Sequence, residues 1–211
     1  MTENDYFIFC EKLEEFGNRF EFADGNIYEK NAGKIIPKQI VDLVLHANST
    51  NFLDFYQLSM ASFRHREIVY NIQQWLIKVI NTVLFKVYAE NCSVFISLKN
   101  GYRVPDVVVA NAKKQELTAQ DHLKNPFMVL EVLSPSTQEI DLGAKINEYK
   151  SIPNLKDYVI VWQDQARILQ FSRTENGFWL ETTYENINDI VQIDFLEIAL
   201  PLREIYREID F

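Results

Sequence analysis

The sequence predicts an α/β fold: a central mixed β-sheet flanked by helices, with a β-hairpin near the N-terminus. Three observations predict it. Two Val- and Leu-rich runs, VPDVVVA (104–110) and FMVLEVL (127–133), are nearly continuous in apolar character, as in strands covered on both faces. Ile68, Ile72, Leu76, Val79 and Val83 recur at spacings of four, four, three and four, the stripe of a core-facing helix that begins at His65. FEFA and NIYE flank Asp24-Gly25, a strong short-range hairpin signal.

Taken in order, residues 5–16 have a mixed pattern that fits a short helix stopping near Gly17. After the hairpin, Pro37 suits the first position of a helix through IVDLVLHA, with His46 at its end and NSTN breaking it before NFLDFYQLSM. The helix from His65 follows. FKVYA and SVFISLK read as strands, and Asn100-Gly101 predicts a hairpin or tight meander into VPDVVVA. Pro105 is tolerated there because the first residue of a strand can lack an amide donor. Residues 111–125 are polar and are expected to be surface loop with a helical turn, His122 included.

After MVLEVL, Ser136 or Thr137 is placed to cap a helix from about Gln138 to Lys150, with Ile140, Ala144 and Tyr149 on its buried side and Lys145 on a neighbouring face. YVIVW and ARILQFS pair about Asp164-Gln165, Gly177 precedes FWLETTY, and the remainder supplies a strand and a short helical tail. No repeat, linker or low-complexity stretch divides the chain, so one domain over 1–211 is expected.

The composition, 47% hydrophobic and 24% charged in 211 residues, is that of a chain able to bury a core. Cys10 and Cys92 match no metal-ligand spacing and no disulfide framework, so free thiols and a cytoplasmic setting are expected. No apolar run is long enough to predict a membrane span, and MTENDYFIFCEK lacks the basic lead of a secretory signal. The net charge of −9 argues against a tight grip on duplex DNA, since affinity for phosphates comes from Lys and Arg. Any DNA binding is expected to be weak, salt-sensitive and confined to a local basic patch, for which Arg64, Arg66 and Lys99 are candidates. A homo-oligomer is compatible with the sequence.

Two acids stand where structural strands would not want them. Asp106 opens DVVVA and Glu131 sits inside MVLEVL, separated by one loop, so the two can lie side by side on adjacent strands. Burying a carboxylate costs several kcal/mol, about 3–5 when its partner is missing, unless it is paired or holds a cation. Lys145 follows on the next helix. Two acids and a lysine on a strand–strand–helix frame suit metal-assisted phosphodiester hydrolysis. Crowded anions of this kind predict that Asp106→Asn leaves metal-free stability unchanged or raises it. For the residues alone the commoner arrangement is structural, with Asp106 as a strand-edge acid and Glu131 in a salt bridge with Lys145 that ties helix to sheet. No P-loop, G-x-G-x-x-G, H-E-x-x-H or G-x-S-x-G motif competes.

VPDVVVA, VLEVLSPST and the spaced Asp141, Lys145 and Tyr149 resemble the Uma-type family, described as restriction endonucleases, within the PD-(D/E)XK nuclease superfamily. The resemblance extends back to FEFADGNIYE and SFRHREIVYNI and forward to IPNLKDYVIVW, covering most of residues 18–172. It implies a restriction-endonuclease-like fold and a divalent-metal-dependent endonuclease acting on DNA with Mg²⁺ or Mn²⁺. It also implies that Asp106, Glu131 and the carbonyl of Val132 are metal ligands and that Lys145 acts on water or phosphate. Glu21 and His65 would complete the catalytic set. Read without the resemblance, Glu21 is an ordinary hairpin position and His65 a solvated helix start. The superfamily pattern places a lysine two residues after the glutamate, where this chain has Leu133; Lys145 is the migrated amine the resemblance implies. Against the family pattern, residues 30–60 look like an insertion. The alternative function is a catalytically inactive nuclease-fold protein serving as an oligomeric interaction or regulatory module.

Overall fold

The computed structural model describes residues 1–13, 19–46, 61–89, 92–134 and 138–211. The expected breaks near Gly17 and across 47–60, and the caps at Ser136 and Thr137, lie outside them. Helix α1 (Glu3–Lys12) starts earlier than the pattern suggests, because Thr2 and Asp5 form a reciprocal capping box. Strands β1 (Phe20–Ala23) and β2 (Asn26–Glu29) pair as the expected hairpin, with Asp24 and Gly25 both at positive φ. A turn leads to β3 (Lys34–Ile35), and α2 (Lys38–His46) follows Pro37, burying Val41 and Val44. His46 ends that helix, exposed.

Helix α3 (Phe63–Val79) buries Ile68, Ile72 and Leu76 as its stripe predicts. It stops at Val79, so Val83 falls beyond it and is exposed. Next come β4 (Phe85–Ala89), β5 (Val94–Ile96), β6 (Gly101–Arg103), β7 (Val107–Asn111) and β8 (Met128–Leu133). The segment between β7 and β8 contains no helical turn; it is an extended loop held by bridges of Leu123 to Val94 and Leu117. The helix expected over 138–150 is two, α4 (Gln138–Asp141) and α5 (Ala144–Lys150). They separate at Gly143, where an added Cβ would lie 2.6 Å from the Glu139 carbonyl oxygen. The break turns Ala144 outward, whereas Lys145, Glu148 and Tyr149 are buried. Strands β9 (Asp157–Trp162) and β10 (Ile168–Arg173) form the expected hairpin, and β11 (Trp179–Tyr184) pairs antiparallel with β10. A hairpin of β12 (Ile190–Ile193) and β13 (Ile198–Pro201) precedes the short α6 (Leu202–Ile205).

The central sheet has the order β11-β10-β9-β8-β7-β4 and is mixed: β8 and β9 run parallel, the other neighbours antiparallel. Both faces are covered. Val107, Val109, Leu130 and Val132 pack with Ile68, Ile72 and Leu76 of α3, while Val108, Ala110, Val129 and Leu133 pack with Tyr149 beneath α5. This is the fold class the sequence predicts.

Of the hairpin and the meander expected at Asn100-Gly101, the hairpin forms, in a sheet apart from the central one. β5 and β6 pair about Asn100, which adopts φ 43°, and they join β1 in a second, five-stranded antiparallel sheet, β3-β2-β1-β6-β5. Gly101 permits that junction, since a Cβ there would lie 2.1 Å from the Phe22 carbonyl oxygen. The chain then passes from one sheet to the other within Arg103-Val104-Pro105-Asp106. The candidate site lies at this crossing.

Candidate active site

The β7–β8 register pairs Val107 with Leu130, Val108 with Val129 and Val109 with Met128. Asp106 immediately precedes β7, one residue before the Val107–Leu130 pair, and Glu131 follows Leu130 on β8. Both are 3% exposed.

Each acid is held by a cation of its own. Asp106 Oδ2 accepts the Val132 amide N–H at 2.8 Å and lies 3.1 Å from His65 Nε2, while Oδ1 is 3.0 Å from Lys30 Nζ. Burial alone would raise the Asp106 pKa; Lys30 first, then His65 and the Val132 amide, hold it well below the carboxylate range. Glu131 Oε1 accepts from Lys145 Nζ at 3.0 Å and from the Tyr149 hydroxyl at 2.8 Å. Its balance runs the other way. Burial, with Asp141, Asp106 and Glu21 nearby, outweighs Lys145 and pushes the carboxyl up to about 8.

Lys145 is shared. Its ammonium lies 2.9 Å from Asp141 Oδ1, one helical turn earlier, and 3.6 Å from Glu21 Oε1. Burial disfavours the charge, but Asp141, Glu131 and Glu21 together raise its pKa well above the usual lysine value. Glu21, on β1, reaches across from the other sheet: Oε1 accepts the Val104 N–H at 3.0 Å and Oε2 the Arg103 Nη1–H at 3.0 Å. Arg103 also makes a two-pronged contact with Glu148, Nε to Oε2 at 2.7 Å and Nη2 to Oε1 at 2.9 Å. Despite burial, Lys145, Arg103 and the Val104 amide keep the Glu21 pKa low. His65, 7% exposed, is no solvated helix start. Its N–H is capped by Ser62 Oγ at 3.1 Å, its Nδ1 is buried without a partner, and Asp106 raises its pKa against the effect of burial.

Asp106, Glu131, Lys145, Glu21 and His65 therefore come together in one buried cluster. Val132 joins them through its amide; the carbonyl ligand implied by the resemblance is not part of that contact. Sequence reasoning missed Lys30, Arg103 and Glu148 and left Asp141 and Tyr149 without a role. Lys145, Glu148 and Tyr149, at i, i+3 and i+4, share one helix face, a spacing that could have revealed two of them. Lys30 gives no such signal, because KNAG (30–33) reads as a solvated turn. Of the proposed basic patch, Arg64 and Arg66 are exposed, and Lys99 is engaged with Asp24 at 2.8 Å.

The cluster holds five carboxylates (Glu21, Asp106, Glu131, Asp141, Glu148) against three permanent cations (Lys30, Arg103, Lys145) and His65. With Glu131 raised to about 8, acids and cations in the cluster are close to balance; the carboxylate oxygens of Asp106 and Glu131 are the hard donors a divalent cation takes, and they now face Lys30, His65 and Lys145. Among the described residues no three of His, Cys, Asp and Glu converge to hold one ion, so Asp106 and Glu131 would do so with solvent or substrate oxygens.

The family model Uma2, described as "Putative restriction endonuclease", matches residues 54–203. The chain is 27% identical over 139 residues to the uncharacterized protein sll1609 of Synechocystis sp., an alignment spanning 65% of this chain and 78% of that protein. It is 31% identical over 110 residues to the uncharacterized protein slr1290 of the same organism, spanning 52% of this chain and 57% of the relative. Among solved structures, it is similar in fold to one titled a putative nuclease belonging to DUF820 from Anabaena variabilis, with a TM-score of 0.62 over 89% of each chain at 11% identity. No helix among the described residues is long and apolar enough to cross a membrane.

Proposed function

This chain belongs to the Uma2 family, and from that premise we propose that it is a divalent-metal-dependent endonuclease hydrolysing phosphodiester bonds in DNA. The observation that carries the reading is the burial in one cluster of Asp106, just ahead of β7, and Glu131, on the neighbouring β8, with the Lys145 amine 3.0 Å from Glu131. Asp106 and Glu131 would hold Mg²⁺ or Mn²⁺. The ion supplies positive charge for the phosphate and acidifies a water.

The remaining work falls to the chain's own groups. Lys145, always charged at neutral pH in this setting, offsets negative charge building on the phosphoryl oxygens. His65, held on Asp106 through Nε2, leaves Nδ1 to exchange a proton or donate to a phosphate oxygen. Glu21 is a positioning residue: locked by Arg103 and the Val104 amide, it holds the Lys145 amine from the second sheet.

The second reading, an inactive nuclease-fold interaction module, has one observation in its favour. The carboxylates named here are already paired within the chain, as in a core that ties two sheets and a helix together without metal. Incubation with plasmid, linear and single-stranded DNA over an Mn²⁺ and Mg²⁺ titration decides between them. Metal-dependent cleavage that disappears in Asp106→Asn and Glu131→Gln supports the endonuclease. No cleavage, with no binding of either ion, favours the module.

A further inference from the structure

Lys30 is the buried cation that the nuclease reading does not employ. It lies in the turn after β2, where its backbone N–H bonds to the Arg19 carbonyl at 2.8 Å, yet its side chain folds inward and is only 12% exposed. Its ammonium rests 3.0 Å from Asp106 Oδ1. The other oxygen of Asp106 is already taken by His65 and the Val132 amide, so Oδ1 is the one left for a cation. The lysine therefore stands where an ion held by that oxygen would sit.

The two lysines differ in tethering. Lys145 is fixed on a helix among three carboxylates and is 4% exposed. Lys30 hangs from a turn containing Gly33, at φ 62°, and its one ion pair among the described residues is to Asp106. It lies outside residues 54–203, so the family match says nothing about it.

We propose that Lys30 is a tethered counter-ion that occupies the divalent-cation seat on Asp106 and must swing out before metal can bind. The inference rests on the metal-dependent reading of this site. A single charge on a flexible stem neutralises Asp106 in the metal-free protein, and a divalent ion competes with it for the same oxygen. Two like charges cannot share that seat. Once displaced, the amine sits at the edge of the cluster, where it can meet a substrate phosphate.

The test measures Mn²⁺ binding without substrate, by electron paramagnetic resonance and calorimetry, for wild type, Lys30→Met and Lys30→Arg. Lys30→Met keeps the stem without the charge and should bind Mn²⁺ at least about tenfold more tightly, whereas Lys30→Arg should stay near wild type. A readout on the unaltered protein guards against misfolded variants: acylation of Lys30, followed by mass spectrometry, should rise several-fold when saturating Mn²⁺ replaces EDTA. Equal or weaker Mn²⁺ binding by Lys30→Met, or Lys30 acylation unmoved by bound Mn²⁺, overturns this inference and leaves the metal-dependent reading standing. No Mn²⁺ binding by wild type and Lys30→Met alike overturns both.

Discussion

Asp106, just ahead of β7, and Glu131, on β8, share one buried cluster but meet cations from opposite directions, Asp106 meeting Lys30 of the turn after β2 and Glu131 meeting Lys145 of α5. Two acids in one buried site would repel if left bare. Here each is the anchor for an element that has to be brought to the sheet. The site is at once the candidate chemistry and the electrostatic joint between the two sheets.

That pairing reverses the expectation drawn from the sequence for Asp106→Asn. Unpaired, crowded anions would gain from losing one charge. Asp106 instead accepts from Lys30, His65 and the Val132 amide, so the substitution strands a buried ammonium. Metal-free Asp106→Asn should lose about 3 kcal/mol, at the lower end for a broken buried ion pair because the amide retains one acceptor oxygen. Urea denaturation in EDTA checks this; a midpoint equal to or above wild type would restore the crowded-anion picture.

Metal should move the two proteins apart. If wild type binds Mn²⁺ or Mg²⁺, mass action adds about 2.7 kcal/mol at roughly 100 times the dissociation constant. For a chain of this size that is a rise in melting temperature of about 5 to 10 °C. Asp106→Asn should show little of that rise. Thermal melting across a metal titration provides the comparison, and identical rises would remove Asp106 from the ion's ligands.

Much of this site could be read from the sequence because strand and helix periodicity carried it. An acid inside DVVVA or MVLEVL contradicts its surroundings, and Lys145 follows at helical spacing. The hairpin was equally legible from Asp24-Gly25. Four things were not. Gly143 splits a helix that local pattern shows as continuous, because the close approach of the Glu139 carbonyl is a three-dimensional fact. The transfer of β6 to a second sheet depends on pairing between Phe22 and Tyr102, residues far apart in the chain. Lys30 enters the site only through that same arrangement, since nothing near it in sequence marks it as buried. His122 similarly looks like a loop residue, yet its ring stacks on Phe7 and lies 4.1 Å from that of Tyr102.

The junction at Gly101 gives a purely structural test. A methyl group there would meet the Phe22 carbonyl oxygen at 2.1 Å and the Ala23 Cα at 3.0 Å, both of them backbone atoms. Gly101→Ala must push β6 from β1 and carry Arg103 away from Glu21. We expect a loss of about 3 kcal/mol or more, the upper range for overpacking. A variant that unfolds at the wild-type urea concentration would show that the two strands do not approach in this way.

Contact with DNA should depend on Arg64 and Arg66, which are exposed on the first turn of the helix that places His65. Lys99 is committed to Asp24, so its removal should matter less. Replacing both arginines with alanine should weaken binding across sequences and reduce the slope of log affinity against log salt by roughly 2, about one for each phosphate contact. Fluorescence anisotropy at several salt concentrations measures the slope. An unchanged slope would place the contact surface elsewhere.

The pH dependence of stability isolates Glu131. Its carboxyl is raised to about 8 by burial and by Asp141, Asp106 and Glu21, whereas the same group in the unfolded chain titrates near the ordinary glutamate value, about 4.3. Between those two values the folded protein holds a proton that the unfolded chain has released. Stability from this group is therefore greatest below the unfolded pKa and declines as pH rises to about 8. At roughly 1.4 kcal/mol per unit, the full decline is on the order of a few kcal/mol. Asp157, raised to about 6 by burial, adds a decline of the same sign at lower pH, so the wild-type profile alone cannot assign the effect. The difference between wild type and Glu131→Gln can. The glutamine still accepts from Lys145 and Tyr149 but carries no titrating charge. Urea denaturation from pH 5 to 9 in EDTA should show the two proteins similar at pH 5 and the variant progressively more stable above it. A difference that stays flat, or grows in favour of wild type at high pH, would mean that Lys145 keeps Glu131 ionised throughout.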